Sequence, residues 1–357
     1  MIIGMPMIEC VIISPGRKSL FYLTEAESSD MHTEEVAANI YRIQVTLPNN
    51  PLKYLNSYLI KDPDGSLLID TGFRMDECRE DLLAGLAELG EEPGDVDIFL
   101  THLHADHTGL AGEIVGEGKK MMIGRTDREW LTGEDISLKK WSRNVAKYLA
   151  AGFSEEEIGA MPTFSPAHVA GPLLTSEYVG VEEGYTISIA GYHLRCIETP
   201  GHTPGHMCLW DEEKRLMFTG DHVLFDITPN ITVWGNMDDS LGYYLQSLNA
   251  VKRYPVLTAL PGHRMPGDFA ERIGELLRHH ERRLAGIEDI IGKLPGLSGV
   301  EIAKRMKWKI RANSWEDFPE AQKIFAIGEC LSHLEYLLRE KRIKAEAEGK
   351  INRYYLS

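Results

Sequence analysis

A chain of 357 residues can bury a full core, as one large domain with additions or as two domains, and its 43% hydrophobic and 26% charged content is ordinary for a globular protein. A formal net charge of −16 repels phosphate backbones unless a local basic patch compensates. The five cysteines (Cys10, Cys78, Cys196, Cys208, Cys330) are odd in number, scattered and free of any C-x-x-C pair, which argues against a disulfide framework or a zinc ribbon and for a reducing cytoplasm.

The opening "MIIGMPMIECVIIS" has no basic n-region, contains Pro6 and Glu9, and is too short to span a bilayer. It reads as a strand, or as an extension ahead of Met31, and residues 1–37 are set apart as an N-terminal extension of a cytoplasmic protein. Alternation and β-branched content predict strands at 40–47, 54–62 and 66–72. A helix follows over 76–90, with Leu82, Leu83, Leu86 and Leu89 spaced for one buried face. Next come a strand at 95–102, a short helix at 110–116 and a strand at 120–125.

Residues 126–176 change character and predict two or three inserted helices, with Trp130, Trp141, Tyr148, Leu149 and Phe153 as packing candidates. Strands resume over 185–220, interrupted by "TPGHTPGH". A helix at 240–253, a strand at 256–260 and a long helix at 268–291 complete a main body spanning 38–292, in which "HHERR" (279–283) reads as a solvated charged face. Strands and helices, followed by strands and helices again, suit an α/β four-layer αββα sandwich. After the Pro/Gly hinge at 293–299, two helices and two strands joined around Gly349 suggest a winged-helix-like unit over 293–357. From 294 to 357 the tail holds 12 Lys/Arg against 9 Asp/Glu, a net +3 in a chain of −16.

The stretch "THLHADHTGL" (101–110) packs His102, His104, Asp106 and His107 into six positions. In an extended segment His102 and His104 point to the same side, whereas Asp106 and His107 follow a change of direction. That division suits two metal ions better than one. Three more strand-to-turn segments end in a nitrogen or oxygen donor: His202 in "TPGHTPGH", Asp221 in "LMFTGDHVL" and His263 in "ALPGHRMPG". Each alone would pass for a turn cap; together they form a ligand set.

The ordered run "LLIDTG", "THLHADHTG", "TPGHTPGH", "FTGD" and "LPGH", over about residues 38–290, resembles the metallo-β-lactamase-fold hydrolase superfamily. The resemblance implies that His102, His104 and His202 hold a first ion, that Asp106, His107 and His263 hold a second, and that Asp221 bridges them. It also implies that Asp70 accepts a hydrogen bond from a ligand histidine and fixes its ring. Zinc β-lactamases with two ions commonly use a cysteine where Asp221 stands, so antibiotic hydrolysis is disfavoured. The diiron flavoprotein branch often has Glu at the position of His104 and carries a flavodoxin-like domain that is not found here. Among the remaining histidines, His168 reads as a surface loop residue or a substrate contact, His206 as structural, and His222 as directed to the opposite face.

Two divalent ions about 3.5–4 Å apart would share a water and acidify it enough to give hydroxide at neutral pH, with Asp106 as an additional proton acceptor. Zn2+ suits the donors best, and iron or manganese fits the same set. An aromatic lid at 126–176 favours a small-molecule substrate such as an ester, thioester or lactone. The rival reading, from the tail's likeness to the lactamase-like endoribonuclease group, is a ribonuclease or phosphodiesterase whose Lys304, Arg305, Lys307, Lys309 and Arg311 track a phosphate backbone. Overall charge disfavours nucleic acid, no membrane partner is expected, and a homo-oligomer is left open. A metal-binding regulator with a vestigial site is a third class, and the complete ligand set argues against it.

Overall fold

Strands that are apolar on both faces must be covered on both, and the runs "LLI", "DIFL" and "MMIG" are of that kind. The computed structural model describes residues 32–357 other than 133, 161–169, 174–175, 310–311 and 313. A first sheet runs in the order β1 (Thr33–Ala37), β2 (Ile40–Thr46), β3 (Tyr54–Ile60), β4 (Leu67–Ile69), β5 (Asp97–Leu100), β6 (Met121–Gly124) and β7 (Val179–Val181). Its first four strands pair antiparallel and the rest parallel. A second sheet, in the order β12-β11-β10-β9-β8, holds β8 (Thr186–Ile189), β9 (Tyr192–Glu198), β10 (Met207–Asp211), β11 (Leu216–Gly220) and β12 (Thr258–Pro261).

The sheets meet through one apolar layer, in which Tyr58, Ile69, Phe99 and Met122 from one face Leu194, Leu209, Phe218 and Leu260 from the other. Tyr58 and Phe218 touch edge to face with ring centroids 5.4 Å apart. Outside the first sheet lie α1 (Asp76–Glu88), which buries Leu82 and Leu86, and the short helices α2 (Ala105–Thr108) and α3 (Ala111–Ile114). Between β6 and β7 run the inserted helices α4 (Arg125–Thr132), α5 (Glu134–Ala151) and α6 (Glu155–Ala160). Outside the second sheet lie α7 (Ser240–Val251) and α8 (Phe269–Lys293). The layers are those of the αββα sandwich that the element order predicts.

Past the hinge come α9 (Gly299–Arg305), α10 (Glu320–Arg339) and the hairpin β13 (Ile343–Glu348) and β14 (Ile351–Leu356). A capping box of Ser298 and Glu301 starts α9, as Ser-x-x-Glu requires. Leu331, Leu334 and Leu337 of α10 join Leu284, Ile287 and Ile291 of α8 in the core cluster that backs the second sheet. The likeness to a winged helix rests on element order alone.

Three expectations are corrected. Residues 33–37 are not extension: they form β1 and pair with β2, Thr33 opposite Ile43. A further strand, β7, precedes position 185 and closes the edge of the first sheet. "HHERR" is a solvated face only in part: Glu281 and Arg282 are exposed, but His280 is fully buried with its Nδ1 3.1 Å from His333 Nε2, and Arg283 pairs with Glu329 and lies over the Trp308 ring at 4.1 Å. The arrival of α10 from the tail covers His280 and Arg283. Cys78, Cys196, Cys208 and Cys330 are free and buried, while Cys10, His168 and Arg311 lie outside the described residues. No helix among the described residues is long and apolar enough to cross a membrane.

Phe218 sits at the centre of the inter-sheet layer, fully enclosed. Phe218→Ala is expected to lower unfolding free energy by about 3–5 kcal/mol in denaturant titration, because two packed sheets cannot close over the void.

Candidate metal centre

The candidate donors sit where strands end. β5 stops at Leu100, and an extended turn carries His102 and then His104, which is the N-cap of α2. Extension puts the two rings on one side, with His102 Nε2 and His104 Nδ1 facing each other at 3.0 Å. The first turn of α2 then redirects Asp106 and His107. His202 comes from the turn between β9 and β10, Asp221 follows β11, and His263 follows β12.

Three overlapping groups result: His102, His104 and His202; His102, His107 and Asp221; and Asp106, His107 and His263, with the donor atoms of each group within 4.8 Å of one another. The seven predicted ligands, and no other described residues, make up these groups. Asp221 spans them. Its Oδ1 lies 3.6 Å from His107 Nε2 and 3.5 Å from His263 Nε2, while its Oδ2 lies 3.6 Å from His202 Nε2. Asp106 Oδ2 is 3.2 Å from His263 Nε2 and 3.9 Å from His107 Nε2. A side chain on Gly262 would close this space, since a Cβ there would come within 2.8 Å of Asp221 Oδ1 and 2.9 Å of His107 Cε1.

Three of the five rings are aimed from behind. His107 Nδ1 lies 2.8 Å from Asp70 Oδ2, His202 Nδ1 2.8 Å from the Asn230 carbonyl, and His263 Nδ1 2.8 Å from the Tyr54 carbonyl. Those acceptors place the ring proton on Nδ1 and leave Nε2 pointing inward. The Asp70 carboxylate also accepts from the Thr101 backbone N–H and hydroxyl, both at 2.8 Å. Nε2 of His107, His202 and His263 and Oδ1 of Asp221 are buried without a hydrogen-bond partner. Buried polar atoms rarely stay unpaired, and nitrogen and carboxylate donors converging in this way fit divalent cations.

Electrostatics split the set in two. Burial lowers the pKa of His102, brings His104 to about 3 and His202 to about 4, so these rings are neutral. Burial also opposes charge on His107 and His263, but the surrounding carboxylates outweigh it: Asp70, Asp221 and Asp106 bring His107 up to about 10, and Asp221 and Asp106 raise His263. For Asp106 burial again works against the charge, and the neighbouring His107, His263 and His104 hold the carboxyl below its ordinary range.

A family model described as the metallo-beta-lactamase superfamily matches residues 52–263. The chain belongs to that superfamily. Among solved structures it resembles a metallo-beta-lactamase family protein of Thermus thermophilus, at 28% identity and a TM-score of 0.74 over 90% of this chain and 100% of that one. It shares its fold with a beta-lactamase domain protein of Burkholderia ambifaria, at 23% identity and a TM-score of 0.77 over 91% and 94% of the two chains. Curated relatives include the lactamase-like protein nscB of Neosartorya fischeri, 26% identical over 57% of this chain and 61% of the relative. The beta-lactamase-like protein 2 homolog of Caenorhabditis elegans is 24% identical over 87% and 88% of the two chains. The atrochrysone carboxyl ACP thioesterase of Emericella nidulans is 24% identical over 72% of this chain and 67% of that protein. The match thus spans about three fifths of the nscB proteins, 61% in one and 60% in another.

Other residues of this superfamily member support the site without marking themselves in the sequence. Asp127, two residues into α4 and fully buried, accepts from the Leu103 N–H at 3.0 Å, the Thr203 hydroxyl at 2.6 Å and the Gly205 N–H at 2.6 Å. It ties the turn bearing His102 and His104 to the turn bearing His202. Its only signal is an acidic residue just past a strand end, the placement shared by Asp70 and Asp221. His206 precedes β10; its Nδ1 is 2.7 Å from the Thr199 hydroxyl and its Nε2 accepts the Asp221 N–H at 3.1 Å. His222 turns away toward Tyr244, at 5.2 Å between ring centroids. The inserted aromatics divide: Tyr148 and Phe153 pack together in the core, whereas Trp130 meets Trp234 edge-on at 5.2 Å, and Trp234 stacks on His104 at 6.1 Å.

Two outcomes are expected. Asp127→Ala, read by zinc titration against a competing chelator, weakens metal affinity by about 10–100-fold; unchanged affinity removes Asp127 from the support of the site. Metal loading at neutral pH would release the proton that the neighbouring carboxylates hold on His107, so binding is expected to tighten as pH rises toward about 10. Calorimetry in buffers of different ionisation enthalpy measures this, and heats independent of buffer contradict it.

Proposed function

We propose that the protein is a hydrolase of a small thioester or related acyl ester, working with two divalent ions, zinc foremost. The observation that carries this reading is the convergence of four buried, unpartnered donor atoms, Nε2 of His107, His202 and His263 and Oδ1 of Asp221, on one space. His102, His104 and His202 would hold one ion, Asp106, His107 and His263 the other, with Asp221 shared. Ions held there would acidify water and polarise an acyl carbonyl.

The chain's own residues do the rest. His104 is half-buried and Asp106 retains slight exposure, so substrate enters on their side. Trp234, stacked on His104, and Trp130 against it form an apolar wall that suits an acyl chain and keeps bulk water from the reacting carbonyl. Asp106 stays anionic at neutral pH under the influence of its histidine neighbours, available to hold a proton while the leaving thiolate or alkoxide departs. The thioesterase named among the relatives supports a thioester, and the cytoplasm remains the expected compartment.

One observation favours phosphodiester cleavage instead: Lys304, Arg305, Lys307 and Lys309 are all exposed on or just after α9. The test is a panel of an acyl thioester, an acyl lactone, a phosphodiester and a single-stranded RNA, run on protein with a measured metal content. Thioester hydrolysis is expected, with Asp106→Ala and His104→Ala each lowering kcat/KM on the order of a hundredfold or more while circular dichroism stays unchanged. RNA cleavage without ester turnover reverses the ranking.

A further inference from the structure

The two halves of the metal centre are braced by different parts of the molecule. His107 and His263 lean on Asp70 and on the Tyr54 carbonyl, both in the first sheet or at its edge. His202 and His104 lean on the loop at 225–239, which joins the second sheet to α7. The Asn230 carbonyl accepts from His202 Nδ1, Trp234 Nε1 donates to the His202 carbonyl at 3.2 Å, and the Trp234 indole lies against the His104 ring.

That loop belongs to neither sheet, and what stiffens it comes from far along the chain. The Ser332 hydroxyl of α10 donates to the Ile231 carbonyl at 2.6 Å, and Asn230 Nδ2 donates to the Phe325 carbonyl at 3.4 Å. Gly328 is packed so tightly there that a Cβ would fall 2.2 Å from Thr232 Oγ1. Lys147 of α5 donates from Nζ to the Trp234 carbonyl at 3.1 Å, the Met237 carbonyl at 3.0 Å and Glu335 Oε1 of α10 at 2.8 Å. An ammonium has three protons to give, and all three are committed across the inserted helix, the loop and the tail. Removing it would leave two carbonyls and a carboxylate without their cation.

We propose that Lys147 and Ser332 are positioning residues for the His102, His104 and His202 half of the centre, so that the C-terminal unit, through the loop at 225–239, sets the affinity of one ion and not of the other. This rests on the two-ion reading above. A merely structural role for these residues would weaken both ions together, or neither.

The experiment uses the full chain: wild type, Lys147→Met, Lys147→Arg and Ser332→Ala, each titrated with zinc against a competing chelator and loaded with cobalt(II) for its visible spectrum. Wild type is expected to bind two ions. In Lys147→Met and Ser332→Ala one dissociation constant should rise about tenfold or more while the other stays within about twofold, and Lys147→Arg should recover part of the loss. Thermal melts establish which variants are folded; if Lys147→Met is not, Ser332→Ala, which removes one hydroxyl, carries the test. Two unchanged constants, or two that shift together in a folded variant, overturn the proposal. A wild type that binds fewer than two ions overturns the two-ion reading itself, a separate result.

Discussion

A polar atom sealed from water without a partner costs about 1–3 kcal/mol, and four such atoms converge here on a single space that suits a cation. Nε2 of His107, His202 and His263 face that space because the Nδ1 of each ring is committed to a fixed acceptor, so none of the three rings can turn to find a partner elsewhere, and Asp221 brings Oδ1 to the same place. The architecture follows from the need to present such atoms at strand ends. Sheets lock the positions of the turns, and the turns aim the side chains.

The same arrangement creates two electrical environments a few ångströms apart. On one side are neutral imidazoles, kept so by burial; on the other, imidazoles share space with three carboxylates and favour a proton. A cation held by the neutral imidazoles would replace nothing, whereas one held beside the carboxylates would displace a hydrogen ion. The centre is therefore asymmetric before any substrate arrives, although its ligands look alike in composition.

Much of this is visible in the residue order where the relevant physics is local. Alternation marks β2 and β3, leucine spacing marks α1, and the spacing of His102, His104, Asp106 and His107 already shows a change of direction, because each depends on neighbours a few positions away. Asp127 stayed hidden because its partners Leu103 and Gly205 are distant in sequence and backbone groups leave no signature. The charged run at 279–283 misled for a similar reason: only the return of α10 decides that His280 meets His333 rather than water. β1 escaped because an edge strand with one neighbour needs little apolar content, and "TEEVA" has little.

Leu284, Ile287 and Ile291 of α8 belong to one apolar cluster that also takes in Met217 of the second sheet and Leu331, Leu334 and Leu337 of α10. Apolar surface shared in this way couples the melting of the tail to that of the sandwich. Clipping the backbone at the 293–299 hinge would therefore not release a free-standing module, because the severed piece would stay docked by what it had helped to cover. The tail is in that sense one more wall of the same room, and its loss would be felt as wetting of α8.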